Sequence, residues 1–335
     1  MSSLADTTYV LPIRRTAIET GDDLPAYLGL LAQLMPVVVA DGSPPNIFAA
    51  HAKRWPRAIV HVPVDLDRRE DLNGKVAGVV TGMRRVGTAK AIVADDDVRY
   101  DAFSLRRVSD LLDVSDIVRP QNVFDPLPWH ALLDTGRTLI ARATGGDWPG
   151  TLGIRSAAFA RAGGYDGDVL FENLELVRTL RAAGACEHVA GDLFVARRPP
   201  AARHYLAQRV RQAYDEFGRP GRLAVQLAIG PLLTLATCRF GARALAAAAV
   251  GSIAVAETGR RRSNGRRAFS ALASALSPIW VTERAVTVWV ALGLRIARGG
   301  VRYSRGRLRT AANPESLLRA RFAAQRATLG QPKAL

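Results

Sequence analysis

The chain has 335 residues, 48% of them hydrophobic, and a formal net charge of +16, long enough for one large domain with an appendage or for two domains. The excess charge lies at one end: residues 197–335 carry 25 Lys and Arg against 5 Asp and Glu, whereas residues 1–118 carry 14 against 16 and residues 119–196 carry 7 against 9. That basic tail also holds long apolar runs and few stacking aromatics, which favours an anionic membrane surface, and no nucleic acid, as its partner.

In chain order, Tyr9–Ile13 predicts a first strand. Asp22 and Asp23 are placed to cap a helix over 24–34, with Leu24, Leu28, Leu31 and Met35 on one face and Pro36 as its stop. Val37–Ala40 predicts a buried strand that ends at Asp41-Gly42-Ser43-Pro44. A helix over 46–54, a strand over Ala58–Val62, a helix over 74–86 and a strand over 90–94 follow. This β-α-β-α-β-α-β order implies a mostly parallel sheet. Ligands of such sheets sit beyond the carboxyl ends of the strands, where both Asp41 and Asp95-Asp96-Asp97 fall. The two sites are therefore expected to form one pocket.

The run Ala91–Asp97 ends a β-branched strand in three consecutive carboxylates. Like charges repel and carboxylates are depleted from strands, so a solvated acidic turn or a bound cation must account for them. A few carboxylates completed by water and phosphate oxygens suit Mg²⁺ or Mn²⁺.

Beyond this cluster the pattern predicts helices over 102–112 and 128–143, an extended stretch over 115–121, and a loop at Gly145–Gly150. A helix over 156–162, a turn at Gly163–Asp166, a helix from Glu172 to about Arg181 and a strand over Val189–Ala196 complete the first part. Arg197-Arg198-Pro199-Pro200 is a junction. Cys186 and Cys238 are far apart and in no metal-ligand spacing, which suits a reducing compartment. His51, His61, His130, His188 and His204 form no ligand set and are expected to be structural or exposed.

Five segments occur in an informative order: Val39-Ala40-Asp41-Gly42-Ser43, Asn73-Gly74-Lys75, Asp95-Asp96-Asp97, Phe171-Glu172-Asn173-Leu174-Glu175-Leu176 and Gln208-Arg209-Val210-Arg211-Gln212. Together they resemble the motifs of family 2 glycosyltransferases, inverting nucleotide-sugar enzymes with a GT-A fold. The likeness is greatest to bacterial members of the ceramide-glucosyltransferase-like branch. The resemblance implies an α/β Rossmann-like nucleotide-sugar domain with a C-terminal helical membrane-associated region. It divides the chain into a catalytic domain over 1–200, an amphipathic interface helix and linker over 201–222, the membrane-associated region over 223–310 and a basic tail over 311–335.

By this resemblance Asp41 and Ser43 bind the base or ribose of a UDP- or GDP-sugar, and Lys75 lies near its diphosphate. Only four of the 46 basic residues are lysine, so a lysine at this place is notable. Asp95 serves the ribose side and, with Asp97, the metal; Asp96 assists or is solvated. Arg99 reaches phosphate or pairs with the cluster, and Gln208 and Arg211 approach the diphosphate and acceptor. The family's general base is an Asp where this chain has Asn173, and an amide cannot take the proton. Either Glu172 or Glu175, three apart and so on one helix face, replaces it, or the acceptor is already ionised, or the protein is inactive. Gln212 stands where the family has Trp. Gly150–Arg155 resembles the segment before the acceptor loop, and Gly299–Gly306 resembles a post-membrane segment.

In the tail, Leu223–Cys238 is apolar but interrupted at Gly230-Pro231, and Ala244–Ala256 follows. Each is shorter than the ~20 residues of a spanning helix. Arg284, Arg295, Arg298 and Arg302 can line one side of a helix, as in a helix lying in the membrane interface. Basic clusters on both flanks prefer the cytoplasmic side, which favours a short hairpin or re-entrant pair over 223–256 and then an interfacial helix over 277–297, with full spanning as the alternative if flanking residues snorkel. The expected function is transfer of a sugar from a nucleoside-diphosphate sugar to a lipid or lipid-linked acceptor, with inversion, at the cytoplasmic face of the cell membrane. The alternative is a non-catalytic nucleotide-binding membrane scaffold of the same fold.

Overall fold

A computed structural model describes residues 4–18, 21–68, 71–303 and 306–330. An eight-stranded mixed sheet carries the first 200 residues. Its parallel part comprises β1 (Thr7–Ile13), β2 (Val37–Asp41), β3 (Val60–Pro63) and β4 (Lys90–Ala94), in the order β3-β2-β1-β4. The connecting helices are α1 (Leu24–Ala32), α2 (Pro45–Arg54) and α3 (Gly74–Met83). These are the expected elements, with the sheet parallel as expected.

Alternation along β1 shows why the sheet is covered on both faces. Tyr9, Leu11 and Ile13 pack with Leu24, Leu28 and Leu31 of α1 and with Leu105 and Val108 of α4 (Ala102–Leu111). Val10 faces the other way, into Val76, Val79 and Val80 of α3. The N-cap of α1 differs from expectation: Asp23 makes no side-chain cap bond but pairs with Arg99 and Arg198, at 2.5 and 3.0 Å.

The sheet continues with β5 (Val98–Arg99), β6 (Ile117–Phe124), β7 (Thr151–Arg155) and β8 (Glu187–Arg197), in the order β4-β7-β6-β8-β5. The strand β7, which sequence pattern does not predict, lies antiparallel between β4 and β6. It brings Gly150 so close to β4 that a Cβ there would meet Asp95 Oδ2 at 2.6 Å. The helices α5 (Trp129–Ala143), α6 (Ser156–Ala162) and α7 (Glu172–Ala182) complete this part.

The expected interface helix over 201–222 is broken at Gln208 into α8 (Ala202–Ala207) and α9 (Arg209–Tyr214), with a 3-10 turn at Asp215–Gly218. Then come α10 (Pro220–Phe240), α11 (Ala242–Arg261), α12 (Ala271–Ala275) and α13 (Ser277–Arg298). The strands β9 (Val301–Tyr303) and β10 (Gly306–Leu308) form an antiparallel pair, and α14 (Glu315–Gly330) follows. The resembling segment Gly299–Gly306 covers β9 and the first residue of β10; Ser304 and Arg305 lie outside the described residues.

Two expectations for the tail need correction. The helix α10 runs through Pro231 for 21 residues, and among the described residues it is the one helix long and apolar enough to cross a membrane. Side chains such as Val225, Leu232 and Leu235 are exposed on it. Arg284 does not share a solvent stripe with Arg295 and Arg298: it is 1% exposed, because α13 is covered by α5, α9, α10 and α11. The bundle is docked on the sheet-bearing part through α5. There α11 comes so close that a Cβ on Gly259 would lie 1.8 Å from the Leu139 carbonyl oxygen, which only glycine permits.

Candidate functional site

A cavity of about 510 Å³ opens at the carboxyl ends of β1 and β4, as parallel-sheet topology requires. Asp95, Asp96 and Asp97 line it from the tip of β4, and Lys75 and Glu172 from the first turns of α3 and α7. Arg197, at the end of β8, and Arg211, on α9, close it. Lys75 is placed by its helix start: the Asn73 side chain accepts from the Lys75 backbone N–H at 3.1 Å, and its amide donates to the Val169 carbonyl at 2.9 Å. An anion bound here would face a helix N-terminus.

Charge pairing ties this floor together. Lys75 Nζ lies 2.6 Å from Asp95 Oδ1 and 2.6 Å from Glu172 Oε1. Burial opposes the Lys75 charge, but the two carboxylates outweigh it and hold the ammonium firmly protonated. The Arg197 Nε lies 2.9 Å from Asp97 Oδ2, and its Nη2 lies 3.5 Å from Asp95 Oδ2. Burial pushes the Asp97 carboxyl up despite Arg197. Its Oδ1 is buried without a hydrogen-bond partner.

That orphaned oxygen is the observation that fits a divalent cation. Mg²⁺ is commonly held by one or two carboxylates plus substrate phosphates, and Asp97 with Asp95 supplies that many. Among the described residues no group of three or more metal-ligating side chains comes together, so the remaining ligands would be diphosphate and water.

A second cavity of about 190 Å³ adjoins the first and shares Asp95, Glu172, Arg197 and Arg211 with it. Asn173 and Gln208 face it, with Asp215, Arg219 and Arg284. Asn173 Nδ2 donates to the Pro149 carbonyl at 2.8 Å, and Lys75 Nζ approaches its Oδ1 at 3.4 Å. On α9, Arg209 turns into the bundle, where it pairs with Asp134 at 2.9 Å and Glu283 at 2.5 Å. That anchor leaves Arg211 facing both cavities. Burial pushes the Asp215 carboxyl up to about 7, although Arg211 pulls it down.

Four of the expected site residues stand elsewhere. Asp41 is 1% exposed and its carboxylate is already engaged: His51 Nδ1 and His61 Nε2 lie 2.7 and 3.1 Å from Oδ2, and the Ser43 N–H donates to Oδ1 at 2.9 Å. Burial alone would raise this carboxyl; the bonds from His61, His51 and Ser43 outweigh it and hold it at about 2. It is a brace behind the cavity, not an acceptor facing a base. The Ser43 hydroxyl accepts the Arg15 backbone N–H at 2.9 Å instead of lining the cavity. Arg99 pairs with Asp23 and donates to the Asp96 and Val98 carbonyls, at 2.7 and 2.9 Å, so it serves the turn after β4. Glu175 is fully buried and bound to Asn313, whose backbone N–H and side-chain amide donate to it at 2.6 and 2.9 Å; it lines neither cavity.

Arg197, Asp215, Arg219 and Arg284 are site residues that sequence reasoning does not single out. Arg197 had a partial signal, an arginine at the end of the apolar run of β8; its closeness to the acidic cluster comes from the fold. The other three depend on how the helices pack.

No protein-family model matches the sequence, and no curated protein matches it. Solved structures do. The mannosyltransferase PcManGT from Pyrobaculum calidifontis, in complex with GDP-Man and Mn²⁺, aligns over 87% of this chain and 87% of its own, with a TM-score of 0.52 and 17% identity. S. aureus TarS aligns over 64% of this chain and 40% of its own, with a TM-score of 0.40 and 13% identity. At this identity, the likeness to the mannosyltransferase is one of fold: the chain has a glycosyltransferase-like architecture.

Proposed function

We propose that this chain transfers a sugar from a nucleoside-diphosphate sugar, with UDP or GDP as the nucleotide, to a lipid or lipid-linked acceptor at the cytoplasmic face of the cell membrane. The observation that carries this reading is the pair of cavities divided by one wall of Asp95, Glu172, Arg197 and Arg211. A donor in the larger cavity would meet Lys75 at the start of α3. Its anomeric carbon would reach the shared wall. An acceptor in the smaller cavity then approaches from the opposite side, which is the geometry of inversion. Mg²⁺ or Mn²⁺ held by Asp97 and Asp95 would act as a Lewis acid on the leaving diphosphate.

The chain's own residues bind and orient. Lys75 keeps Glu172 and Asp95 in place, and Arg211 is positioned for either the leaving diphosphate or the acceptor. The resemblance of the five motifs and the fold of the mannosyltransferase, which was solved with GDP-Man and Mn²⁺, support the donor class. The exposed apolar α10 and the basic residues 260–267 support a membrane surface.

A specific observation keeps the non-catalytic alternative in view: the position of the expected base is Asn173, and Glu172 is tied to Lys75. A nucleotide-sugar screen with isolated membranes and total lipid extract, read by mass, separates the two. New glycolipid with loss of turnover in Asp97→Ala supports the enzyme. Nucleotide-sugar binding without product, or Asp97→Ala turnover undiminished in the presence of Mn²⁺, refutes the reading.

A further inference from the structure

Resting on the transferase reading, we propose that the acceptor is a phosphate monoester on a lipid, held in the smaller cavity by Arg284, Arg219 and Arg211. The cavity is over-supplied with buried cationic donors. Arg284 is 1% exposed, yet its Nε and Nη1 have no hydrogen-bond partner. Its guanidinium instead stands 5.2 Å from the Trp280 ring. The Nε groups of Arg219 and Arg211 are likewise buried without partners. Buried polar groups are normally satisfied, and four unsatisfied guanidinium N–H groups around one cavity call for an anion with several acceptor oxygens.

The nearby carboxylates do not fill that need. Glu283 is held by Arg209 at 2.5 Å. Glu216 is shared by Arg219 at 2.8 Å and Arg222 at 3.4 Å. Asp134 and Asp147 are held by Arg137, at 3.3 and 2.8 Å. Asp95 and Glu172 are held by Lys75, each at 2.6 Å. Asp215 remains; burial favours its protonated form, and a protonated carboxyl donates to a phosphate oxygen instead of repelling it. A phosphate offers the planar forks of arginine three oxygens. The donor's own diphosphate is a poor candidate for this place, since Arg284 and Arg219 line the smaller cavity and not the larger one.

The chemistry follows. A phosphate oxygen of the acceptor forms the new bond to the anomeric carbon. The bond from that carbon to the diphosphate oxygen breaks, and its electron pair leaves with the nucleoside diphosphate. The acceptor dianion becomes a glycosyl phosphodiester monoanion and the leaving diphosphate gains the charge, so no proton moves and no base is required. Asn173 at the base position, Glu172 tied to Lys75 and Glu175 tied to Asn313 are then no defect. The lipid character follows from position. Arg219 and Arg222 sit at the first turn of α10, the helix that exposes Val225, Leu232 and Leu235, so a phosphate in the cavity leaves its hydrocarbon chain along an apolar face.

The full chain in detergent is tested for sugar transfer to a long-chain polyprenyl phosphate, to the same polyprenol with a free hydroxyl, and to glycerol 3-phosphate. Farnesyl phosphate and farnesol binding are measured by calorimetry. We expect transfer to the polyprenyl phosphate alone, an acid-labile phosphodiester product, and farnesyl phosphate binding at least tenfold tighter than farnesol. Arg284→Met should raise the acceptor KM more than tenfold with the donor KM within twofold. Arg219→Gln, at a half-buried position less demanding of the fold, should shift it the same way. Transfer to the polyprenol in place of the phosphate overturns the proposal, as do unchanged acceptor KM values in both folded variants. Equal use of glycerol 3-phosphate overturns its lipid part. Tight farnesyl phosphate binding with no turnover of any nucleotide sugar overturns the transferase reading and leaves an anion site behind.

Discussion

Glu175 tests whether this site uses a carboxylate base, because resemblance and structure assign it opposite roles. In the structure its two oxygens accept the Asn313 backbone N–H at 2.6 Å and the Asn313 side-chain amide at 2.9 Å, fully buried. Asn313 in turn accepts from Arg178 through its carbonyl at 3.0 Å and donates to Asp166 at 2.9 Å. With Leu170 and Phe171 bonded to Thr310 and Ala311, Glu175 is the latch that fastens the chain after β10 to α7. Glu175→Gln replaces one acceptor by an NH₂ group, so one Asn313 donor faces another donor whichever way the amide turns. A hydrogen bond to a charged group contributes about 1.5–3 kcal/mol and a buried unsatisfied donor costs about 1–3. Burial raises the Glu175 carboxyl, so the variant recovers part of the desolvation cost, and a net loss of ~2–3 kcal/mol is expected. At 2–4 °C per kcal/mol that is roughly 4–12 °C in the unfolding transition. Differential scanning calorimetry and transfer assays at 20 °C should find the transition lowered and kcat within about twofold. A fall in kcat of about 100-fold with an unmoved transition would refute the latch and make Glu175 the base.

Lys75→Met leaves Asp95 and Glu172 facing each other without their shared cation; with Lys75 17% exposed, we expect a loss of ~2–3 kcal/mol in urea unfolding, part of it regained in Lys75→Met/Glu172→Gln. His51→Ala removes a donor from Asp41, whose carboxyl sits at about 2 in the fold and near its ordinary value when unfolded. This depressed group stabilises the fold above pH ~4 by about 2 kcal/mol, lost as pH falls towards 2. Acid unfolding of the variant, followed by circular dichroism, should therefore begin at higher pH. Asp215 is the reverse case: its carboxyl is at about 7 in the fold, so stability falls as pH rises from ~4 to 7 and the loss is complete above 7. Asp215→Asn should melt higher than the native chain at pH 8 and alike at pH 4; equal melting at pH 8 would contradict the burial argument.

The parallel core was legible because its apolar runs are bounded by punctuating residues: Pro36 before β2, Asp41 at its end, Asp95 after β4. Topology then fixes that Asp95–Asp97 and Lys75 meet, since strand ends and helix starts share one edge of such a sheet. Partners set by tertiary packing were not legible. His51 and His61 reach Asp41 from α2 and β3, at separations of 10 and 20 residues that no ligand spacing describes. Glu172 and Glu175 are neighbours on a helix face, yet the remaining rotation and rise of three residues are enough to put one in the cavity and the other against Asn313. Arg284 shows the same limit: its spacing with Arg295 describes a polar stripe, but the stripe is inside the bundle at Arg284 because four helices cover it.

Charge balance separates the two cavities and links them to their proposed contents. The larger is lined by four carboxylates (Asp95, Asp96, Asp97, Glu172) and four cations (Arg14, Lys75, Arg197, Arg211). A nucleotide diphosphate sugar with one divalent ion is close to neutral as a unit, so it can enter without upsetting that balance. The smaller is lined by six arginines against five acids, and burial pushes one of those acids, Asp215, up to about 7. Its surplus is positive, and its unpaired N–H groups belong to guanidinium ions. An uncharged alcohol would leave that surplus buried, whereas a phosphate removes it. In the proposed transfer the dianion would become a monoanion and the attraction would weaken, so the arrangement proposed to recruit the acceptor would also favour release of the product.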